Sequence, residues 1–352
     1  MKLFTPFRLR QIEFQNRIVV SSMCQYSAVD GHPGTWHLVH LGSRAIGGAA
    51  LVMAEASGVQ DIGRISPGDT GLYLDAHVES WSPIVQFLKQ QGAVTGIQLA
   101  HAGRKGSTDA PWRGGKPLSK QQGGWTPVSA SALPFDEGHP VPKELSVEEL
   151  DQVIKDFEKA AHRALAAGFQ IAEIHAAHGY LLHQFLSPLS NQRTDSYGGS
   201  FQNRIRLLIR VTQAVREVWP EAYPLFVRIS ATDWKEGGWD LEQSIELSRR
   251  FKGIGVDLID VSSGGAVPGV KIPVGPGYQV EFAEAIRKEV GIPTGAVGMI
   301  TDPAQANTIL TSEQADMVFL AREFLRDPYW PLRAAKTLKV EPKTPPQYQR
   351  AW

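Results

Sequence analysis

Two histidines three residues apart, with a tyrosine two further on, stand in "EIHAAHGYLLHQFLS", residues 173–187. His175, His178 and Tyr180 offer more than one chemistry. A metal site needs a third ligand and hydrogen-bonded partners that orient the rings. His101 and Glu55 are available in the sequence, but no H-E-x-x-H stretch or cysteine-rich spacing accompanies them, so no metal is expected. Buried histidines satisfied by their neighbours would need no chemistry at all. The residues favour a third reading, a neutral pair in which each ring aims one N–H at a substrate oxygen that becomes negative. Tyr180 then stands close enough in sequence to deliver a proton.

Two further groups carry chemical potential. Cys24 is the only cysteine, set in "SSMCQY" with Tyr26 two residues on. Free cysteines are mostly buried and inert, yet a thiol at a strand end can also touch a cofactor and tune it. Near the end of the chain, Gly298 in "VGMI" and Ala321–Arg322 in "AREFLRDP" suggest a phosphate cradle. Backbone N–H groups after the last two strands of a barrel commonly bind phosphate, and glycine lets that backbone approach closely. The plainer alternative is that these glycines serve only tight turns.

These groups need elements to hold them together. Short apolar runs begin at Arg17 ("RIVVSSM"), Ala49 ("AALVMAEA"), Val94 ("VTGIQLA") and Phe169 ("FQIAEIHA"). Four more begin at Leu225 ("LFVRIS"), Asp257 ("DLIDVSSG"), Pro293 ("PTGAVG") and Asp316 ("DMVFLAR"). Helical patterns lie between them; in "SVEELDQVIKDFEKAAHRALAAG" Ser146 and Glu149 form a capping box and Gly168 stops the helix. Eight strand-then-helix units predict an α/β fold, a (β/α)8 TIM barrel forming a single domain over 1–352. Residues 102–145, rich in Gly, Pro, Trp and Ser, are expected to form a long lid loop after the third strand, where a connection of that length is usually functional or disordered. Each candidate group then falls at the C-terminal end of a strand, the reactive face of such barrels.

Composition narrows the partners. Lysine plus arginine equal aspartate plus glutamate at 36 each, so no field of one sign points to nucleic acid or an anionic membrane. A small-molecule partner is expected. The lone cysteine excludes an internal disulfide, and Pro6, Arg8 and Arg10 interrupt any signal-like apolar run at the start, so a cytoplasmic protein is expected. No apolar stretch reaches the roughly 20 residues of a membrane helix.

The positioned motifs resemble the old yellow enzyme family of FMN-dependent ene-reductases, in its thermophilic-like branch. The resemblance runs end to end: "MCQYSAVDG" at Met23, "WHLVHLGSRAIGG" at Trp36, "GIQLAHAGRK" at Gly96, "HAAHGYLLHQFLSPLSNQRTDSYGGSFQNRIR" at His175, "LFVRISATDW" at Leu225, "VGMITD" at Val297, "LAREFLRDP" at Leu320 and "YQRAW" at Tyr348. It implies non-covalent FMN, with Ser21, Ser22, Met23, Cys24 and Ala56 along the ring and Gln98 at its pyrimidine edge. Arg228 would lie near the N1 and ribityl side, and Gly298, Ala321 and Arg322 would hold the phosphate. NADPH or NADH serves as hydride donor without a nucleotide-binding domain. By the same resemblance, His175 and His178 bind the activating carbonyl or nitro group of an electron-poor alkene, including maleimides. Flavin N5 gives hydride to the β-carbon, Tyr180 protonates the α-carbon, and Tyr26 lines the substrate site.

The resemblance also implies a homodimer or homotetramer, in which the C-terminal tail, 340–352, carries Arg350 into the neighbouring active site. Two departures from the branch stand out. Ser22 replaces the usual proline, which is expected to loosen the flavin-edge strand, and Ala321 replaces the usual glycine, which narrows the phosphate loop by a methyl group. The rivals are a metal-dependent barrel hydrolase built on His175, His178 and His101, and a passive flavin-binding protein. A dihydroorotate-type oxidase would not require the His175, His178 and Tyr180 set.

Overall fold

The computed structural model describes all residues, 1–352. The chain opens with a hairpin, β1 (Phe7–Leu9) against β2 (Ile12–Phe14), followed by β3 (Ile18–Val20), α1 (Thr35–Ile46), β4 (Leu51–Gly58), α2 (Ala76–Gln90) and β5 (Val94–Ala100). A long segment follows, carrying the two-residue strands β6 (Val128–Ser129) and β7 (Lys143–Glu144), then α3 (Val147–Ala167), β8 (Ile171–Ala176), α4 (Leu181–Leu186) and α5 (Phe201–Val218). The remaining units are β9 (Leu225–Ser230), α6 (Leu241–Ile254), β10 (Leu258–Ser262), α7 (Val280–Val290), β11 (Thr294–Ala296), α8 (Pro303–Thr311), β12 (Met317–Leu320), α9 (Arg322–Arg326) and α10 (Trp330–Thr337). Strands β3, β4, β5, β8, β9, β10, β11 and β12 close into a parallel barrel in chain order. All eight expected runs supply a barrel strand.

Alternate residues of the strands explain how one sheet holds both a core and a site. Ile171, Glu173 and His175 succeed one another at every second position of β8, as do Phe226, Arg228 and Ser230 on β9 and Leu258, Asp260 and Ser262 on β10. Successive side chains point to opposite faces, so each such series lines one face, here the barrel interior. The first member of each is apolar and joins Val19, Leu51, Met53, Val94, Val297, Met317 and Phe319 in a buried cluster at the N-terminal end. The other face is apolar throughout: Ile174, Val227, Ile229, Ile259 and Val261 join a 70-residue core shared with the helices.

The hairpin, which the sequence reading did not foresee, plugs the N-terminal end with Leu9, Ile12 and Phe14. Its two-residue turn is Arg10–Gln11, not the Asn-Gly or Asp-Gly pair that announces a tight hairpin. Arg10 adopts a positive φ of 50° and is held by Asp257, which accepts from Nε at 2.7 Å, and by the Gly255 carbonyl at 3.1 Å. Helix α3 begins and ends as expected, with Ser146 and Glu149 capping it and Gly168 left-handed at φ 97°.

Residues 102–145 lie over the C-terminal end and are tied down by buried arginines. Arg104, 2% exposed, donates to the carbonyls of Ala266 (2.8 Å) and Leu133 (3.3 Å), while Arg193 donates to those of Ala130 (3.1 Å) and Leu145 (2.6 Å). These bonds satisfy backbone groups that neither helix nor sheet would pair. No helix is long and apolar enough to cross a membrane.

Candidate active site

Strand register sets the spacing of the site. Gln98 pairs with Glu173, and Arg228 pairs with both His175 and Asp260. On β4 the register shifts between Ala54 and Ala56, so Glu55 is an extra residue and Ala56 comes opposite Gln98. Bulges of this kind re-aim side chains beside active sites. Glu55 instead meets His37 of α1 at 3.0 Å and accepts from the Gln25 N–H at 2.9 Å, which fixes the chain just after Cys24.

The histidines and the tyrosine converge. The His175 ring centroid lies 5.1 Å from that of His178 and 5.0 Å from that of Tyr180, edge to face in both cases. The Ala177 N–H donates to His175 Nδ1 at 3.3 Å, which in the neutral ring leaves the proton on Nε2. That Nε2 lies 3.4 Å from His178 Nδ1, a long contact, and His178 Nε2 lies 2.7 Å from Ser262 Oγ. Both rings are held neutral: burial, then Arg228, pushes each histidine well below its ordinary pKa.

His178 occupies the left-handed region at φ 58°, a conformation costly for a non-glycine residue and held here from several sides. Its N–H donates to Ser230 Oγ at 2.9 Å, and Lys105 Nζ donates to its carbonyl at 2.8 Å. The following Gly179 has no alternative, since a Cβ there would stand 2.0 Å from the Gly265 carbonyl oxygen. Burial, then Cys24 and Tyr26, drives the Tyr180 hydroxyl well above its ordinary pKa, so it is a protonated phenol at neutral pH. Cys24 is likewise held as the thiol, chiefly by burial and then by Asp69.

Arg228 sits below this group, its Nε 3.2 Å from Asp260 and its Nη1 donating to Ser21 (3.1 Å) and Ser22 (3.2 Å). The Ser22 hydroxyl therefore adds an anchor between β3 and β9, where its departure from proline was expected to loosen that strand. Gln98 Nε2 donates to Glu173 Oε1 at 2.8 Å, which turns the Gln98 carbonyl oxygen away from that partner. Arg228, Ser262, Gly298, Ala321 and Arg322 line one cleft of about 230 Å³.

The expected FMN can be tested against these residues. The N–H groups of Gly298, Met299 and Ala321 donate to no group of the chain, and the Arg322 guanidinium is exposed and unpaired. Gly298 has φ 124°, and a Cβ there would lie 2.9 Å from Gln279 Nε2, so the loop requires glycine. Ala321 has φ −109°, outside the left-handed region that favours glycine. Unpaired N–H donors beside a free cation form a phosphate cradle, and Arg228 and Gln98 provide polar groups for a ring. The residues fit the cofactor.

Tyr26 stands at the outer side, its ring 5.5 Å from that of Trp112 in the 102–145 segment, and both border a cleft with Ser66, Gly68 and Arg113. Met23 packs against the main core. Arg350 is not brought to its own chain's site: it is exposed, and the tail just before it runs beside Gln15, Gly48 and Gln91 at the opposite end of the barrel. His101 has both ring nitrogens engaged, Nε2 with Gln60 at 2.9 Å and Nδ1 accepting from the Gly103 N–H at 3.0 Å. Sequence reading missed Glu173, Ser230 and Asp260. Their signal was present, since each is a polar or charged residue at an every-second position of an otherwise apolar strand.

Comparison with known proteins agrees with this geometry. The sequence model of the NADH:flavin oxidoreductase / NADH oxidase family matches residues 2–341. An NADPH dehydrogenase of Geobacillus thermodenitrificans is 48% identical over 352 residues, covering 99% of this chain and 98% of that protein. One from Bacillus subtilis is 46% identical over 353 residues, covering 100% and 99%. Among solved structures, morphinone reductase in complex with tetrahydroNAD superposes with a TM-score of 0.79 at 27% identity, covering 98% of this chain and 93% of that one.

Proposed function

The chain belongs to the NADH:flavin oxidoreductase / NADH oxidase family, and on that premise we propose that it reduces activated C=C bonds of α,β-unsaturated carbonyl compounds, maleimides and nitroalkenes. It is an FMN-dependent oxidoreductase with a nicotinamide donor. FMN, when bound, would supply the hydride chemistry that links NAD(P)H to the β-carbon of the alkene.

The observation that carries this reading is the packing of two neutral histidines, His175 buried and His178 partly exposed, against Tyr180 beside the Arg228 guanidinium. His175 and His178 direct N–H groups at the activating oxygen. The long 3.4 Å contact between them is readily exchanged for a shorter bond to that oxygen. Negative charge grows there as hydride arrives, and a fixed donor at such a position is commonly worth about 3–4 kcal/mol. Tyr180, protonated at working pH, gives its proton to the α-carbon. Arg228 would stabilise the negative charge of the reduced flavin, and Gly298, Ala321 and Arg322 would hold the phosphate. Arg350 of a neighbouring copy lines the substrate cleft, in a homodimer or homotetramer working in the cytoplasm.

An anaerobic spectrum tests the reading. The purified protein is expected to be yellow, to bleach on adding NADPH, and to regain colour on adding cyclohexenone with release of the saturated ketone. Bleaching without recovery over a panel of enones, maleimides and nitroalkenes would falsify it.

A further inference from the structure

Proton delivery by Tyr180 raises a local difficulty. No group of the chain hydrogen-bonds its hydroxyl, and burial together with Cys24, Tyr26 and Asp69 disfavours the phenolate, with Arg228 alone opposing them. A proton that leaves Tyr180 without replacement therefore leaves a charge in an unfavourable place. Replacement through the substrate side is blocked whenever ligand covers the ring.

A second side is available. Asp69 lies on the turn between β4 and α2, 1% exposed, and lines the same enclosed cavity as Tyr180. The cavity measures about 10 Å³, the space of about one water molecule. Its walls include Ala56, Gly58, Ala100 and Ala102, which offer no side-chain hydrogen bond. Arg64 also borders it, but its guanidinium is occupied by Asp61 and the Pro67 carbonyl. Asp69, whose Oδ1 accepts from Ser66 alone, and Tyr180 are thus the side chains that can hold a water in that space.

We propose that Asp69 and a single water in this cavity form a proton relay that resupplies Tyr180 as its proton leaves. The inference rests on the reading of Tyr180 as proton donor. The Tyr180 O–H bond breaks as the α-carbon C–H bond forms, the water protonates the phenolate oxygen, and the Asp69 carboxyl protonates the water. The negative charge ends on Asp69, where it is accommodated. The N–H groups of Ile65 (2.6 Å) and Ser66 (3.3 Å) donate to Oδ2, and Ser66 Oγ donates to Oδ1 at 3.1 Å. Solvent then reprotonates Asp69 from the outer cleft, which Ser66 and Gly68 border.

The charge environment suits the task. Burial, then Glu55, pushes the Asp69 carboxyl up to about 7, so a share of it carries a proton at neutral pH. The other titratable groups facing it are Glu55 on β4, Cys24 and Tyr26 after β3, Arg64 on its own turn and Tyr180. His101 at the end of β5 is held neutral by burial, pushed down to about 3. As pH rises through about 7 Asp69 loses its proton and the relay empties.

Stopped-flow measurement on the FMN-loaded enzyme separates the two half-reactions. The reaction of reduced enzyme with cyclohexenone is expected to slow as pH rises through neutrality. Asp69→Asn should flatten that profile and slow the step by about 10–100-fold, while reduction by NADPH is unaltered. Ala102→Val, which fills the cavity and leaves both ends intact, should do the same. Adding Asp69→Asn to Tyr180→Phe should slow the step no further. If Tyr180→Phe is slow but Asp69→Asn keeps the parent rate and pH profile, the relay is overturned and the donor assignment stands. If Tyr180→Phe itself keeps the parent rate, the donor assignment falls and the relay with it. Should Asp69→Asn fail to hold FMN, Ala102→Val decides, and an unchanged pH profile there overturns the relay.

Discussion

The two ends of the barrel are built from the same strands and obey opposite rules. At the N-terminal end, Phe14, Phe226, Leu258 and Met317 pack in a dry cluster under the hairpin. Four residues further along β9 and β10 stand Ser230 and Ser262, which hold His178. Between the ends lies a layer of buried ionisable groups, with Glu173 beside Gln98 and Arg228 beside Asp260. Positive φ occurs at both ends, at Arg10 in the hairpin as well as at Tyr26, Ser107, His178, Trp234 and Met299 in the loops around the C-terminal end. Unpaired polar groups collect where chemistry occurs, and apolar packing at the other end helps the fold tolerate them.

If that division is real, substitutions at one end should leave the other's property alone. Tyr180→Phe has the largest expected effect: oxidation of reduced enzyme by cyclohexenone falls on the order of 100 to 10,000-fold with the thermal midpoint unchanged. A midpoint that dropped with the rate would make Tyr180 a structural residue and erase the distinction. Phe14→Ala is its mirror, costing about 3–5 kcal/mol in denaturant unfolding while turnover per bound FMN holds. Loss of turnover per FMN in that variant would mean that the plug shapes the site.

The phosphate cradle offers a finer test. Arg322→Ala should weaken FMN binding by about 10–100-fold, the worth of one hydrogen-bonded charge, as read by fluorescence titration. Unaltered affinity would leave the cradle to the backbone alone. The tail tests whether the division extends between copies. A mixture of Arg350→Ala and Tyr180→Phe chains should recover turnover that neither has alone, because mixed dimers pair one intact site with one intact arginine. No recovery, or a strictly monomeric protein by light scattering, removes Arg350 from the site. The smallest expected effect concerns pH. With both histidines pushed well below their ordinary pKa, they stay neutral as pH falls through 6.5, so enone affinity should stay level there. A fall in affinity through that point would show that one ring titrates within the site.

Much of this was legible in the residues, and the exceptions have physical reasons. The eight strands announced themselves because each is a short apolar run followed by a helical pattern. The hairpin was not legible, because Arg10–Gln11 forms its turn through bonds to Asp257 and Gly255, more than 200 positions away. The order within 102–145 was hidden for the same reason, since Arg104 reaches the Ala266 carbonyl across 162 positions. Asp69 gave no signal in its turn-forming context, "SPGDTG", because only the fold brings Tyr180 to the same cavity. The Ser22 contact was hidden in the same way, because the Arg228 guanidinium that meets its hydroxyl stands 206 positions away.

Barrel closure has a consequence for the order of assembly. Ile18–Val20 pairs on one side with Met317–Leu320, so the first barrel strand lacks that neighbour until nearly the whole chain exists. At a synthesis rate of about 5–20 residues per second, the wait is roughly 15–60 s. During that interval β3 keeps an open edge, and the hairpin beside it lacks Phe319 and Met317, which complete its apolar seat. Both are surfaces on which a nascent chain can pair wrongly. The same late segment carries Gly298, Ala321 and Arg322, so the cofactor's anchor appears only as the ring shuts. Flavin uptake then reports completion of the fold, and a nascent chain released before β12 should emerge colourless.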